Sequence, residues 1–500
     1  MSSSSSFADQ RGEENKGADP ATVAAEGSVL TGHEKEELWE GGDSNSCSLD
    51  RINGFPDEIL VNVLSSLTLK EAARTSVLSN RWKDLWKSAV TVMDFEHLTK
   101  LNQILDRHAA PKKQIRRWQK EHRRWFIDWV NGVLTQLQQQ NHRGSKLSKF
   151  RICFTLNKRC NSEGDIDRWL EFAISREVEH LELSLNMMRL WGEWDYDSYP
   201  FSQGCFNHIK TPTGLSNIKS LRSLRLSYVA VKGEVLQHFI SNCPFLEVLD
   251  VEQSRLLKAL KVVGSSTSPL PLKHLEVKGC LFLRSVEIEH APHLSHLIHE
   301  GRVAELRVDN CPRLVDVTIF FDDWHPSKIP FLSSYAGQLE SLTLETSQRA
   351  IKFLDVPELP RLKSLTLRTD ALSCDSILGL IPVINACPSL QKLTVKLLLY
   401  SRDSSNHSGL YDQQGGIAHC EGIKVVEVVG FSGYHVDCEF VDYVLEHFVG
   451  LERMVIDRGL TTPFRGELKN NCSKKQAKKA RKLALKYKSK ASASLEFLVI

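Results

Sequence analysis

The chain has 500 residues, more than one compact core holds, so two to four structural units are expected. Hydrophobic residues make up 41% and charged residues 25%, the balance of an ordinary globular chain. Its 64 Lys and Arg against 61 Asp and Glu leave +3, which excludes a polyelectrolyte built as a whole for nucleic acid or membrane. No apolar run approaches the ~18–20 residues a transmembrane helix needs. The first residues lack an apolar signal core, so a secretory signal is not expected, and the ending Leu498-Val499-Ile500 carries no prenylation box. The 12 cysteines are scattered with no C-x-x-C pair. Reduced, buried thiols in a cytosolic or nuclear protein are therefore expected, with no metal and no cofactor. The sequons beginning at Asn406 and Asn471 are then chance matches.

In chain order, residues 1–48 form an acidic leader, with 11 acids and 3 bases in the first 50 residues. Too polar to offset its ordering entropy, it is expected to be disordered. Residues 49–96 change character. Pro56 suits a first helical position, and Asp57 and Glu58 suit the positive end of a helix dipole. Ile59, Leu60, Val63, Leu64 and Leu67 follow at helical spacing. Thr68-Leu69-Lys70-Glu71 reads as a capping box opening a second helix through Ala72, Ala73, Val77 and Leu78. Ser79-Asn80 breaks it, and a third helix carries Trp82, Leu85 and Trp86. Three helices in so few residues have too little core to stand alone, so a neighbour or partner must cover their apolar face.

Residues 97–146 read as linking helices. There the basic run Lys112 to Arg124 precedes an apolar stripe of Trp125, Phe126, Trp129, Val130, Val133 and Leu134. From 147 a strand kernel recurs, apolar-x-x-apolar-x-apolar. Eleven copies run from Leu221/Leu224/Leu226 to Leu451/Met454/Ile456. Weaker ones stand at Leu147/Phe150/Ile152, Val178/Leu181/Leu183 and Leu495/Leu498/Ile500. Most intervals are 23–28 residues. A cluster of half-length ones falls between 272 and 319, among the kernels Leu272/Leu275/Val277, Leu283/Val286/Ile288, Val303/Leu306/Val308 and Leu314/Val317/Ile319. This is the leucine-rich-repeat period. Stacked, such units bury their leucines under a curved parallel sheet, an α/β solenoid with an irregular or helical convex side. The residue between the last two apolar positions should face the concave side. Those residues are Arg225, Asp250, Glu276, Glu287, Arg307, Thr318, Thr343, Thr366, Thr394 and Glu427, with Val455 as an apolar exception. The repeats span 147–420, a terminal module 421–460, and a basic tail with a last strand 461–500. Asn242-Cys243-Pro244, Asn310-Cys311-Pro312 and Cys387-Pro388 read as end-of-helix turns holding a small buried Cys.

The segment Phe55-Pro56-Asp57-Glu58-Ile59-Leu60 through Leu78-Ser79-Asn80-Arg81-Trp82-Lys83-Asp84-Leu85-Trp86 strongly resembles a plant F-box, with Phe55 where the family has leucine. Trp129-Val130-Asn131 with Leu134 looks like the helix that follows in the plant F-box/leucine-rich-repeat family. Ile423 to Val428, Gly430-Phe431, Val444-Leu445 and Leu451 to Met454 look like its FBD-type C-terminal module. The resemblance covers roughly 48–460. It implies a non-catalytic substrate receptor of an SCF ubiquitin ligase. The F-box docks on an SKP-type adaptor, and through it on cullin and the RING subunit, while the repeats hold a protein target. Docking and the small core beneath it then fall to Pro56, Ile59, Leu60, Leu64, Leu67, Val77, Leu78, Trp82 and Leu85. Which of these face the adaptor is open, and Trp82 serves equally well in internal packing. Target binding falls to Arg225, Asp250, Glu276, Glu287, Arg307, Thr343, Thr366 and Thr394.

Two other readings stand beside it. One is a repeat scaffold that binds its partner without driving turnover. The other is a nucleic-acid-associated regulator using the tail, where residues 469–490 hold ten bases and no acid. That tail reads as a nuclear import signal or as a solvated helix face. His290, His293, His296 and His299 recur every third residue across a strand kernel, where neighbours diverge; exposed polar residues are expected there. No phosphate loop, H-E-x-x-H or G-x-S-x-G motif is present.

Overall fold

The structure, a computed structural model, describes residues 52, 54–96, 112–138, 146–154, 156, 163–185, 198–201, 218–264, 269–301, 305–320, 330–347, 356–370, 377–398, 422–458 and 474–500. The acidic leader, the first part of the linking segment (97–111), both sequons and Val303 lie outside the described residues. The chain divides into two compact units, 1–55 and 56–500. In the first, the Phe55 amide donates to the Ile52 carbonyl (3.3 Å) and the Phe55 ring is exposed.

The second unit opens with three helices: α1 (Asp57–Ser65), α2 (Leu69–Arg74) and α3 (Trp82–Ala89). The capping box is in place. The Thr68 hydroxyl accepts from the Glu71 amide (3.4 Å), and the Glu71 carboxylate accepts from the Thr68 amide (3.0 Å). The second helix does not reach Val77 and Leu78 as expected, because the Thr75 hydroxyl donates to the Ala72 carbonyl (2.7 Å) and the chain tightens into a 3-10 turn over Thr75–Val77. The Arg81 guanidinium donates to Asp57 (2.9 Å), tying the start of α3 to the start of α1.

Only Val90 and Thr91 separate α3 from β1 (Val92–Glu96), which is already the first strand of the repeat sheet. The sheet therefore begins inside the 49–96 segment assigned to the helical unit. Helix α4 (Lys112–Gln138) returns the chain to β2 (Lys149–Cys153), and α5 (Glu163–Ser175) returns it to β3 (His180–Ser184). Phe126, Val130, Val133 and Leu134 of the expected stripe are buried, whereas Trp125 is exposed. Asn131 links the two helices by donating to Asp165 (3.0 Å) and accepting from the Trp169 indole (2.8 Å).

There follow β4 (Tyr199–Phe201), β5 (Ser223–Ser227), β6 (Val229–Val231), α6 (Gly233–Asn242), β7 (Val248–Glu252), β8 (Ala259–Val263), β9 (His274–Lys278) and β10 (Ser285–Glu289). Next come β11 (His296–Glu300), β12 (Glu305–Asp309), β13 (Asp316–Phe320), α7 (Pro330–Tyr335), β14 (Ser341–Ser347), β15 (Ser364–Asp370), α8 (Ile381–Asn385) and β16 (Lys392–Leu398). The chain closes with β17 (Val425–Val429), α9 (His435–His447), β18 (Arg453–Asp457), α10 (Lys474–Lys490) and β19 (Glu496–Val499). Fourteen strands form one parallel sheet in the order β1-β2-β3-β5-β7-β9-β11-β13-β14-β15-β16-β17-β18-β19. The kernel side chains pack into one contiguous core that runs from Leu60 to Phe497.

The half-length intervals have a structural cause. Between β7 and β13 the return segment is itself a strand, so β8, β10 and β12 make a second, three-stranded parallel sheet. Left-handed residues turn the corners between the two sheets: Gln253 after β7, Gly279 after β9, His290 after β10 and Asn310 after β12. Asn310-Cys311 is thus a strand-end corner, unlike Cys243, which caps α6, and Cys387, which follows α8. All three thiols are buried, and burial pushes them up to about 12, 11 and 12 for Cys243, Cys311 and Cys387.

The last strand is shifted by one residue from its expected register. Met454 and Ile456 pair with Phe497 and Val499, so Phe497 enters the core, Leu498 takes the opposite face and Ile500 is exposed. The basic tail is the return helix of this final repeat. Ala480, Ala484 and Tyr487 are buried, the Tyr487 hydroxyl donates to Asp442 (2.9 Å), and Lys478, Lys479, Arg481 and Lys482 are exposed. No described helix is long and apolar enough to cross a membrane.

Candidate functional site

Two surfaces carry the residues singled out above. On the three-helix unit the apolar residues divide into two stripes interleaved one residue apart. Leu60 and Leu64 turn inward from α1 and meet Trp82 and Leu85 of α3, all four buried. Ile59, Val63 and Leu67, spaced i, i+4, i+8, turn outward, and Val77 and Leu78 stand 73% and 62% exposed at the 3-10 turn. Pro56 is exposed at the helix entrance. Of the nine residues proposed for docking, Leu60, Leu64, Trp82 and Leu85 form the core, and Pro56, Ile59, Leu67, Val77 and Leu78 are on the surface. Val63 belongs with the surface group and was not singled out. Its place, four residues from both Ile59 and Leu67, was the available signal.

The second surface is the open face of the fourteen-stranded sheet. Register aligns its mid-strand residues in one rank: Asp94, Arg151, Glu182, Arg225, Asp250, Glu276, Ile298, Thr318, Thr343, Thr366, Thr394, Glu427, Val455 and Leu498. Six of the eight target-binding candidates therefore stand in line. Glu287 and Arg307 do not. They lie on the three-stranded sheet beside Lys261, where Lys261 pairs with Glu287 (2.9 Å). Half-length spacing put these two on the other sheet. Asp94, Arg151, Glu182 and Ile298 were not foreseen. Ile298 was hidden because its kernel, Leu294/Leu297/His299, ends in a histidine.

That histidine overturns one expectation. His299 is 2% exposed, wedged into the core rather than flanking it, and neither ring nitrogen has a hydrogen-bond partner. Burial pushes it down to about 4. Among the described residues no three His, Cys, Asp or Glu side chains are grouped to hold a metal ion.

Charge on the open face is uneven. At one end the Arg151 guanidinium donates to Glu182 (2.9 Å), to Asp94 (3.1 Å) and to Glu96. In the middle, burial and then neighbouring Glu276 push Asp250 up to about 7, while burial and then Glu345 push Glu300 up to about 8. Farther on, four threonines stand side by side from Thr318 to Thr394, and Arg368 pairs with Glu345 (3.1 Å). The surface offers hydrogen-bonding and charged groups in a row, a geometry suited to gripping an extended partner.

Two family models match the chain. The F-box domain family model matches residues 52–90, and the model described as At1g61320/AtMIF1, LRR domain, matches residues 139–497. The chain is similar to three Arabidopsis thaliana proteins. The F-box/LRR-repeat protein At3g03360 is 27% identical over 378 residues, covering 69% of this chain and 70% of that protein. The F-box/FBD/LRR-repeat protein At1g13570 is 23% identical, covering 83% and 92%. The putative F-box/FBD/LRR-repeat protein At5g22670 is 22% identical, covering 82% and 91%.

Proposed function

Since this chain belongs to the plant F-box/leucine-rich-repeat family, we propose that it is the target-recognising subunit of an SCF-type ubiquitin ligase. In this reading Ile59, Val63, Leu67, Val77 and Leu78 dock on the SKP-type adaptor, and the open face of the sheet holds the protein target. The receptor makes and breaks no bond. It raises the effective concentration of the target beside the ubiquitin-charged carrier enzyme.

One observation carries the docking assignment: five large aliphatic side chains are exposed on a three-helix unit whose inward stripe is already committed to the core. A cluster of that kind marks an interaction surface. Covering what is still exposed of each contributes at most about 1.5–3 kcal/mol, and Val77 and Leu78, the two most exposed, supply the largest shares, so charging them removes a decisive part. Co-expression with an SKP-type adaptor and capture on a tagged adaptor tests this. The double change Val77→Asp/Leu78→Asp is expected to reduce capture more than ten-fold without shifting thermal unfolding. Undiminished capture by that variant removes this surface as the dock. Leu64→Ala is the contrasting control, since Leu64 is buried and its truncation costs about 2–5 kcal/mol of stability. Target turnover is read separately. A captured target that stays at constant level when the receptor is overexpressed returns the protein to the non-degradative scaffold reading.

A further inference from the structure

The return helix of the last repeat, α10, works against itself electrostatically. Residues 469–490 hold ten bases and no acid, although the whole chain carries only +3, so the rest of the protein is net acidic. The first turn of α10 contains no acid to offset the positive end of the helix dipole. Lys478, Lys482, Lys486 and Lys490 follow one another at i, i+4 spacing, where like charges repel. Every Lys and Arg from 478 to 490 is exposed, and among the described residues none of them enters an ion pair. The lysines of the sheets behave differently. Lys261 pairs with Glu287, Lys363 with Glu340, Lys392 with Glu427 and Lys424 with Glu452, each at 2.9 Å. Of the acids on neighbouring α9, Asp442 accepts from the Tyr487 hydroxyl (2.9 Å), and Glu439 and Glu446 line a cleft against Leu378. Yet α10 is fixed in place, with Ala480, Ala484 and Tyr487 buried. A helix held in the fold against its own charge points to a compensating partner outside the fold.

The exposed face narrows that partner to one class. An amphipathic helix enters a bilayer by its apolar stripe, and here Ala480, Ala484 and Tyr487 are already committed to the repeat. Tyr487 is the one aromatic of α10, and its burial leaves no ring to stack on unpaired bases. The exposed bases from 478 to 490 are lysines apart from Arg481, point charges suited to phosphate rather than to reading a sequence. Lys478 to Lys490 covers about 18 Å of helix axis. That length spans about five phosphates of one duplex strand, at about 3.4 Å each. A duplex carries one charge per about 1.7 Å, denser than the one per about 3.3 Å of a fully acidic extended polypeptide.

We propose that the exposed face of α10 binds the phosphate backbone of a double-stranded nucleic acid without regard to base sequence. The activity goes beyond the receptor function proposed above and does not depend on it.

Fluorescence anisotropy of the full chain with short labelled duplexes of two unrelated sequences tests it, DNA and RNA in parallel. At least one kind of duplex is expected to bind, with affinities for the two sequences equal within about two-fold. Raising salt from about 50 to about 200 mM should weaken binding about a hundred-fold or more. Lys478→Gln/Lys482→Gln/Lys486→Gln should weaken it ten-fold or more at the lower salt, with thermal unfolding unchanged or raised. Lys261→Gln/Lys363→Gln/Lys424→Gln, which removes as many exposed charges from the sheets, should leave it unchanged. The tighter of the two duplex types names the nucleic acid. No binding of either duplex at the lower salt overturns the proposal, as does binding equally weakened by both triple variants. Tighter binding of a poly-glutamate peptide, or of vesicles rich in phosphatidylserine, than of any duplex also overturns it and assigns the helix to an acidic protein segment or to a membrane surface.

Discussion

His299 offers a direct measurement of what a misplaced polar group costs this fold. Its kernel position pairs with Val277 on one side and Ile319 on the other, so the neighbouring repeats put aliphatic side chains where it stands. With both ring nitrogens unpartnered at 2% exposure, the neutral imidazole forfeits its hydrogen bonds on folding. That loss is about 1–3 kcal/mol. His299→Leu, close in volume, should recover it at pH 7.5. The pH dependence adds a second signature. The folded-state value is depressed from the ordinary 6.5 to about 4, so the unfolded chain binds the proton first as pH falls. Stability is lost progressively below 6.5 down to about 4, at about 1.4 kcal/mol per pH unit. At pH 5 this adds about 2 kcal/mol to the advantage of the variant. Asp250 and Glu300 are raised, and their contribution has the opposite sign: present at low pH and lost as pH rises through about 7 and 8. They act in both proteins, so the difference between wild type and His299→Leu isolates the histidine. Urea unfolding followed by tryptophan fluorescence at pH 7.5 and pH 5 provides the comparison. A variant no more stable than wild type, or an advantage equal at the two pH values, refutes the reasoning.

Two further outcomes follow from the terminal repeats. Asp437 is fully buried and accepts hydrogen bonds from the Ser432 amide (2.9 Å), the Ser432 hydroxyl (2.7 Å) and the Tyr434 amide (3.3 Å). Asp437→Ala should lower unfolding stability by about 3 kcal/mol, and Asp437→Asn by less, as measured by denaturant titration. Gly433 has φ +71°, and an added Cβ would lie 2.9 Å from Leu483 Cδ1 and 3.2 Å from Ala480 Cα. Gly433→Ala should therefore push α10 off α9 and speed trypsin cleavage within 474–490, while cleavage elsewhere is unchanged.

The repeat kernel is legible because a leucine every third and second position reports burial directly. Thirteen of the seventeen strands in the two larger sheets were placed this way, including β2 and β3 from weak copies. What the spacing does not carry is the side of the solenoid to which a strand belongs. Leu283/Val286/Ile288 and Leu272/Leu275/Val277 look alike, yet one lies in the three-stranded sheet and the other in the long one. The strand Val92–Glu96 was merged into the helical unit because it follows α3 after two residues. The last strand carries apolar residues at every position from Phe497 to Ile500, so nothing in its pattern chooses between the two faces. The first helix shows the same ambiguity: Ile59-Leu60 and Val63-Leu64 are adjacent aliphatic pairs, and only packing decides which member goes in.

On the function proposed above, the two-residue step from Ala89 to Val92 makes the receptor a ruler. With the three N-terminal helices running straight into the first strand, and the Thr91 carbonyl accepting from the Ser148 amide (2.8 Å), no swivel intervenes between the exposed aliphatic stripe and the open face of the sheet. For a receptor of this kind, distance is then a selectable property. The lysines of a held target that come within range of the incoming ubiquitin are chosen by how many repeats separate the grip from the anchor. A glycine-rich insertion after Thr91 would leave both ends intact and blur that choice over many lysines.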